Sequence, residues 1–547
     1  MHGRLKVRTT EQEQAIKRKE REQKVKAYKA AMGRIMKIRG NVELNDEMLI
    51  LTREVLQRNP DIYTLWNIRR EIFLNFKKEK SDEEMGKLVD NEVKLTENCL
   101  MNNQKSYCAW HHRGWVLDLH PEPKWTKELA LCTEFLKQDE RNFHCWDYLR
   151  LAAAKSGFSP LKQFELSDEK IKDNFSNYSA WHYRSKLLPL THPDPEGNAL
   201  IEPGQHSYEL GQVESAAYTD PNDSSAWFYQ RWLLGRDCSV AQRQPPKPLL
   251  CWLGPHKAII SFSKHSRLVP QLFVDGQTVE GEWLMESKYV WVLKHKIGSV
   301  DQIKKAEVVT EGGRLELQPS SIGLVAVVAE EGQEHNQVVM DTLKGQLKNC
   351  KLLLTLTPDC RWTYLTAVFL MQAIDIRLFH GETMEFLDKL IQLDPLRAGH
   401  YNDLRSKYVM EFKLSLMEGS FGVQESVSLS QCHLSSLYHF NQLALVREVD
   451  LSKNQLTDRS LPALGSLQMC RKLDLSHNCL VTLDSMPSLP ALEWLDLSNN
   501  ELTKEPGRVD KNLRNANLTA LKSLSVQDNP CYGLLDLEDL LQTLSFK

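Results

Sequence analysis

Two adjacent imidazoles, His111 and His112, are the first residues in this chain whose types suggest chemistry, since neutral imidazole is a common metal ligand. Neighbours on a helix point about 100° apart, so this pair alone does not converge on one ion. The twelve cysteines are scattered, without a CxxC pair or a zinc-type histidine spacing, and the sequence contains no HExxH and no paired Asp-rich diphosphate motif. Neither a disulfide framework nor a self-contained zinc site is therefore expected, and the thiols are expected to be reduced. Asp-x-Ser-x-Asn runs near the C-terminal end imitate part of a calcium loop, but the required Gly and the distal Glu are out of register. Lys105, read from its surroundings alone, is a solvated lysine at a helix start.

The elements that must position these residues are repeats. Five segments align on a tryptophan, at Trp66, Trp110, Trp146, Trp181 and Trp227, spaced 44, 36, 35 and 46 residues apart. That spacing is about two helices and two turns, which predicts an α-hairpin solenoid. Seven residues before each Trp stands Asn or Asp (Asn59, Asn103, Asp139, Asn174, Asp220), suited to a turn or to capping the next helix. An aromatic ring three before the Trp in four units (Tyr63, Tyr107, Phe143, Tyr178) is expected to share its face and bury against the neighbouring hairpin. An Arg follows three or four residues after it (Arg69, Arg113, Arg150, Arg184, Arg231), placed to pair with a carboxylate or a helix C-terminus. In the third unit Leu149 takes the plus-three place, which makes the pairing of Arg150 less defined.

The order of regions follows from changes in pattern. Residues 1–240 read as the first part of the helical solenoid. After the Pro-rich join QRQPPKPLL, residues 241–343 carry short alternating or β-branched runs: Ala258 to Ser263, Tyr289 to Leu293, Leu315 to Leu317, Leu324 to Val328 and Val338 to Met340. These predict an inserted antiparallel β-sandwich of immunoglobulin-like type. Helical pattern resumes over 344–420, with Trp362 marking a degenerate sixth unit. Over 421–547 the period shortens to L-x-x-L-x-L-x-x-N-x-L, with Asn454, Asn478 and Asn500 in the Asn place, Cys432 replacing it in a first unit and Asn529 closing a last one. The fold class is thus multidomain, an all-α helical-hairpin solenoid with an inserted sandwich and C-terminal leucine-rich repeats.

Composition bounds the function. Lys plus Arg (69) nearly cancels Asp plus Glu (72), leaving −3, which excludes a generally basic nucleic-acid binder while leaving room for a local basic patch. The longest strongly apolar run, Ile322 to Ala329, is far short of the ~20 residues that span a bilayer, so no transmembrane segment is expected. The start has no apolar signal core, position 2 is His2 rather than Gly, and Cys531 lies well inside the end, so a cytoplasmic protein that is not itself lipidated is expected. The mixed-charge run from Glu11 to Lys26 reads as a solvated helix face with no membrane role.

The repeat core NYSAWHYR resembles the Asn-Tyr-x-x-Trp-x-x-Arg hallmark of the α-subunits of protein prenyltransferases, over roughly residues 45 to 236. Helical repeats, an inserted β-domain and leucine-rich repeats in this order, with the opening HGRLKV and the phrase DPNDSSAWFYQRWLLGR, resemble the animal type II, or Rab, geranylgeranyltransferase α-subunit family. That resemblance implies a heterodimer in which a separate β-subunit holds the Zn2+ and the isoprenoid pocket. It implies transfer of geranylgeranyl from geranylgeranyl diphosphate to C-terminal cysteines of Rab GTPases presented by the Rab escort protein. It also implies that Lys105 approaches the diphosphate, that Tyr107 lines the same mouth, and that Asn142 and His144 lie near the subunit junction, where packing or capping would serve equally well. A mobile His2 is expected to reach the partner's zinc as a displaceable ligand. Two other readings stay open at this point: a non-catalytic adaptor, since solenoids and leucine-rich repeats are binding scaffolds, and a farnesyl or type I α-subunit with added domains, which would act on short C-terminal cysteine peptides.

Overall fold

A computed structural model describes residues 11–40, 46–197, 200–234, 245–328, 337–417, 425–505 and 507–545. His2 lies outside the described residues. The chain divides into two units, Met1–Pro193 and Asp194–Lys547.

The first unit is helical throughout: α1 (Glu11–Gly40), α2 (Asp46–Arg58), α3 (Tyr63–Glu79), α4 (Asp82–Asn102), α5 (Tyr107–Leu117), α6 (Trp125–Gln138), α7 (Phe143–Ser156), α8 (Pro160–Asp173) and α9 (Tyr178–Thr191). From α2 onward the helices pair as four hairpins, each with a buried repeat tryptophan at the start of its second helix. Local sequence starts and stops them. Ser81 and Glu84 exchange hydrogen bonds as a capping box at the head of α4, and Gly157 closes α7 in the left-handed region at φ 67°.

One expectation about this unit fails. Tyr63, Tyr107, Phe143 and Tyr178 do not bury against the next hairpin; all four are exposed, Tyr107 at 68%. Each is the first residue of its helix, so its ring leaves the helix at the loop edge, while the Trp one turn later points inward.

The second unit opens with a fifth hairpin, α10 (Pro203–Thr219) and α11 (Ser224–Leu234), followed by the strand region. Here β1 (Pro248–Gly254), β2 (Lys257–Phe262), β3 (Gln271–Val274), β4 (Gln277–Thr278), β5 (Gly281–Ser287), β6 (Val290–His295), β7 (Ala306–Thr310), β8 (Gly313–Ser320) and β9 (Gly323–Val327) run antiparallel in the order β4-β3-β7-β8-β9-β1-β2-β6-β5. The expected immunoglobulin-like sandwich is therefore replaced by one continuous sheet of nine strands. Its continuity is carried by β8: residues 313–317 pair with β7, and residues 318–320 pair with β9. Because a single strand serves both halves, the sheet curls over one apolar core that includes Leu272 and Val308 from one half and Ile260 and Leu293 from the other.

The helices then resume as α12 (Gln337–Leu356), α13 (Arg361–Ile374), α14 (His380–Leu393) and α15 (Ala398–Ser415). The strand expected at Val338 to Met340 is the first turn of α12. Leu343, Leu347, Cys350 and Leu354 are buried at helical spacing, and that long periodic face overrides three residues of local β preference. Although the sheet separates them in sequence, α10–α11 and α12–α13 are neighbours, and Gln346 joins both, accepting from Gln230 at 2.9 Å and donating to the Leu210 carbonyl at 3.2 Å. The sixth unit is real but centred two residues later than Trp362. Cys360 takes the capping place, and the Tyr364 N–H bonds the Cys360 carbonyl at 3.3 Å, as the Trp110 N–H bonds that of Ser106.

The chain ends in leucine-rich repeats with a parallel sheet, β10 (Ser426–Ser428), β11 (Glu448–Asp450), β12 (Lys472–Asp474), β13 (Trp494–Asp496) and β14 (Ser523–Ser525). The asparagines satisfy the turns between repeats: Asn454 Oδ1 accepts from the N–H groups of Cys432 and Leu434, and its Nδ2 donates to the carbonyls of Leu429 and Leu451. Asp450, Asp474 and Asp496 each accept the N–H of the serine two residues on, at 2.8 to 3.0 Å.

Candidate functional site

The loop edge of the first unit is built by three recurring interactions. Asn59, Asn103, Asp139 and Asn174 each accept, through Oδ1, the N–H two residues on, at 2.9 to 3.2 Å, which shapes the turn before each second helix. The tryptophan indole N–H then reaches back six residues to a loop carbonyl: Trp66 to Pro60, Trp110 to Gln104, Trp146 to Glu140 and Trp181 to Phe175, at 2.7 to 2.9 Å. Finally, the capping residue of each next repeat donates to that same carbonyl. Ser106 reaches Pro60 at 3.3 Å, Asn142 reaches Gln104 at 3.0 Å and Asn177 reaches Glu140 at 3.2 Å. Successive loops are thereby held at fixed offsets.

Lys105 projects from this edge at the second repeat. Its side chain is 54% exposed, and Nζ lies 3.2 Å from Oδ2 of Asp139. Tyr107 stands beside it with its ring edge-on to His144 at 4.1 Å between centroids and 6.0 Å from Phe143. His144 is buried beneath these rings, and burial lowers its pKa against the opposing pull of Asp147, with the Lys105 charge acting in the same direction as burial. It is therefore a neutral ring at pH 7. Asn142 is buried and caps α7, accepting from the N–H groups of His144 and Cys145. Lys105, Tyr107 and His144 come together on one edge; Asn142 supports them from below. Next to them a shallow cleft between α7 and α9 is lined by Arg141, Phe143, Asp147, Arg150, Tyr178 and His182.

The adjacent histidines separate as helix geometry requires. His111 Nδ1 sits 2.6 Å from an Arg70 nitrogen, whereas His112 is fully buried with Nε2 at 2.8 Å from Glu92. Among the described residues no group of three or more His, Cys, Asp or Glu side chains is arranged to hold a metal ion.

Sequence reasoning missed a carboxylate slot eighteen residues before the tryptophan. Glu92 and Glu128 occupy it, and Gln163 and Glu209 stand at the same offset before Trp181 and Trp227. Arg69 of the first repeat forms a two-pronged pair with Glu92 of the second, and Arg113 of the second does so with Glu128 of the third at 2.6 and 2.9 Å. The residue two after the next Trp bonds the slot from its own hairpin, His112 to Glu92, Tyr148 to Glu128 and Tyr183 to Gln163. The Arg150 exception then has a reason: the following slot holds Gln163, and Arg150 pairs with Asp147 on its own helix instead. The constant offset was a signal in the sequence that the tryptophan alignment alone did not use.

The pattern of the protein prenyltransferase alpha subunit repeat matches residues 45–76, 89–120, 125–155, 160–190 and 207–237, and that of the leucine rich repeat matches 444–502. The geranylgeranyl transferase type-2 subunit alpha of Homo sapiens is 38% identical over 577 residues, covering 100% of this chain and 99% of its own. The Mus musculus protein of the same name is 39% identical over 539 residues, 92% of each chain. That of Dictyostelium discoideum is 38% identical over 242 residues, 44% of this chain and 76% of its own.

Proposed function

We propose, from the premise that this chain belongs to the geranylgeranyl transferase type-2 alpha-subunit family, that it works as one half of a heterodimer that lipidates Rab GTPases. In this reading a β-subunit carries the zinc and the isoprenoid pocket, the Rab escort protein presents the acceptor, and the geranylgeranyl group moves from its diphosphate to C-terminal cysteine sulfurs. The protein acts in the cytoplasm; among the described residues no helix is long and apolar enough to cross a membrane.

The observation that carries the proposal is the loop edge of the first unit, an exposed row of rings with Lys105 within it. Exposed aromatic rings on a rigid repeat are suited to docking against a partner surface. Transfer breaks the bond between the isoprenoid C1 and the bridging oxygen, the diphosphate leaves with the electron pair, and a C–S bond forms as the thiol proton is lost. Negative charge grows on the departing oxygens, and an ammonium aimed at them stabilises the transition state more than the ground state. Lys105 supplies that charge, Tyr107 lines the approach, and Asn142 and His144 hold the edge near the subunit junction. A zinc in the partner would favour the acceptor thiolate. His2 would serve that zinc as a displaceable ligand, a role that unchanged zinc coordination in a His2→Ala heterodimer would remove.

Co-expression with the β-subunit and an assay of transfer to a Rab bearing two C-terminal cysteines tests the whole reading. Transfer is expected only with the escort protein. Lys105→Ala is expected to lower it about 10²-fold, roughly 2.7 kcal/mol of transition-state stabilisation. Transfer to short cysteine peptides without escort would favour a type I enzyme, and no heterodimer would favour an adaptor.

A further inference from the structure

Each turn residue along the loop edge has two polar side-chain atoms and uses them for different tasks. Oδ1 of Asn103 and of Asp139 closes the turn, accepting from Lys105 N–H at 3.1 Å and Arg141 N–H at 3.2 Å. The second atom reaches back to the loop of the preceding repeat. Nδ2 of Asn103 donates to the Asp61 carboxylate at 2.9 Å, and Nδ2 of Asn174 donates to the Glu140 carboxylate. In the same place Oδ2 of Asp139 faces the Lys105 ammonium at 3.2 Å. Where the turn side chain meets a carboxylate it is an amide, as at Asn103 and Asn174, and where it meets the Lys105 ammonium it is the carboxylate of Asp139. The turn alone does not need that choice, since Asn closes it equally well at 59, 103 and 174.

From this matching we infer that Asp139 is a positioning residue for Lys105, fixing where its ammonium waits before a diphosphate arrives. The inference rests on the assignment of Lys105 to the departing diphosphate. A lysine side chain left to itself spreads over many rotamers, and ordering it takes about 1.5–2 kcal/mol of conformational entropy. Asp139 Oδ2 narrows that spread from a loop whose own place is set by the Asn142 bond to the Gln104 carbonyl. An exposed pair of this kind is worth at most about 1 kcal/mol, so a multiply charged diphosphate displaces or shares the ammonium without being shut out. Asp139 therefore orients Lys105 without locking it.

The test is a double-mutant cycle in the complete heterodimer, measuring the single-turnover rate of geranylgeranyl transfer at saturating geranylgeranyl diphosphate. Asp139→Asn keeps the turn and removes the charge partner. It is expected to lower the rate by roughly two- to fivefold in the wild-type background and to change nothing once Lys105→Ala is present. Asp139→Ser, which keeps an oxygen for the Arg141 N–H, is the second variant and is expected to behave alike. A wild-type rate for both variants, or the same fractional loss with and without Lys105, overturns the inference and leaves Asp139 a turn residue. If Lys105→Ala itself keeps the full rate, the diphosphate assignment falls and the inference with it. A slow Lys105→Ala with a fast Asp139→Asn overturns the inference alone.

Discussion

A carboxylate taken wholly out of water survives as an anion only if its partners replace the lost solvation, and Glu92 meets that demand. It is 2% exposed and meets an Arg69 side chain that is 0% exposed, and the same guanidinium is held by the Leu49 carbonyl and the Thr52 hydroxyl at 2.6 Å each. Burial alone would raise the Glu92 pKa, but Arg69 and His112 bring it down to about 2. Burial lowers the His112 pKa in spite of Glu92, and its Nδ1 has no hydrogen-bond partner, as suits a neutral ring protonated on Nε2. Both groups have folded pKa values below their unfolded ones, so both stabilise the fold at neutral pH and both lose that contribution on acidification. The His112 share is present above about 6.5 and fades as pH falls through its folded pKa; the Glu92 share is present above about 4.5 and fades toward about 2. Glu92→Gln is accordingly expected to destabilise the protein at pH 7 by roughly 3–5 kcal/mol, because it leaves Arg69 an uncompensated buried charge. It should also flatten the loss of stability below pH 4.5. Urea unfolding of both proteins across pH 3 to 7 checks both parts, and parallel pH profiles would show that Glu92 is not the group being titrated.

The hairpin is the scale at which these residues become a pattern, since the first two repeats each pass an Arg to the carboxylate of the next. Repeat three breaks the pattern on both sides at once, with Leu149 in the Arg place and Gln163 in the carboxylate place. Restoring one side alone should harm the fold. Leu149→Arg buries a guanidinium without a partner, and Gln163→Glu sets a carboxylate against the Phe158 carbonyl that Gln163 Nε2 now reaches at 2.7 Å. Together they recreate the Arg113–Glu128 arrangement, and the double variant is expected to recover about 0.5–3 kcal/mol relative to the sum of the two, measured by thermal or denaturant unfolding. An additive result would mean that the two places do not face one another. This scale was also the most legible in the sequence, because tryptophan, turn residue and arginine recur at fixed offsets that report helix geometry directly. The exposure of Tyr63, Tyr107, Phe143 and Tyr178 was not legible, since an apolar ring at helical spacing from a buried Trp reads as core unless the helix start is placed to the residue. Nor was the choice between Asn and Asp at 139, whose reason lies in a side chain 34 positions earlier.

At the scale of whole regions, the sequence reads as a solenoid with an inserted β-domain and leucine-rich repeats after it, each with its own core, whereas in the second unit the curled sheet and the leucine-rich repeats share a core. The inner face of the sheet closes on itself, but Leu250, Trp252, Ile259, Val290 and Val292 point the other way and bury against Ala444 and Leu445 of the repeats. Polar groups fix the register of that contact. The Ser261 hydroxyl donates to the Asn441 carbonyl at 2.6 Å, Asn441 Nδ2 donates to the Phe262 carbonyl at 2.8 Å, and Lys257 Nζ reaches the Gln468 carbonyl at 3.0 Å. A trace of this was present in PLLCWLG, where β1 is apolar at every inner and outer place and is buried along its whole length. A strand covered on one face alone would alternate. Each large side chain uncovered by removing the repeats forfeits about 1.5–3 kcal/mol of burial, so the loss exceeds what a small sheet can absorb. A chain ending at residue 417 is therefore expected to aggregate or to be cut rapidly within residues 245–328 under limited proteolysis, while the full chain resists. Replacing Ala444 and Leu445 by Asp in the full chain should reproduce that sensitivity without deleting anything, because two buried carboxylates without partners would force the contact open. Equal protease resistance in all three proteins would make the sheet a self-sufficient domain and the repeats a true appendage. Sensitivity in both variants would instead mean that this apolar contact makes the two regions one folding unit.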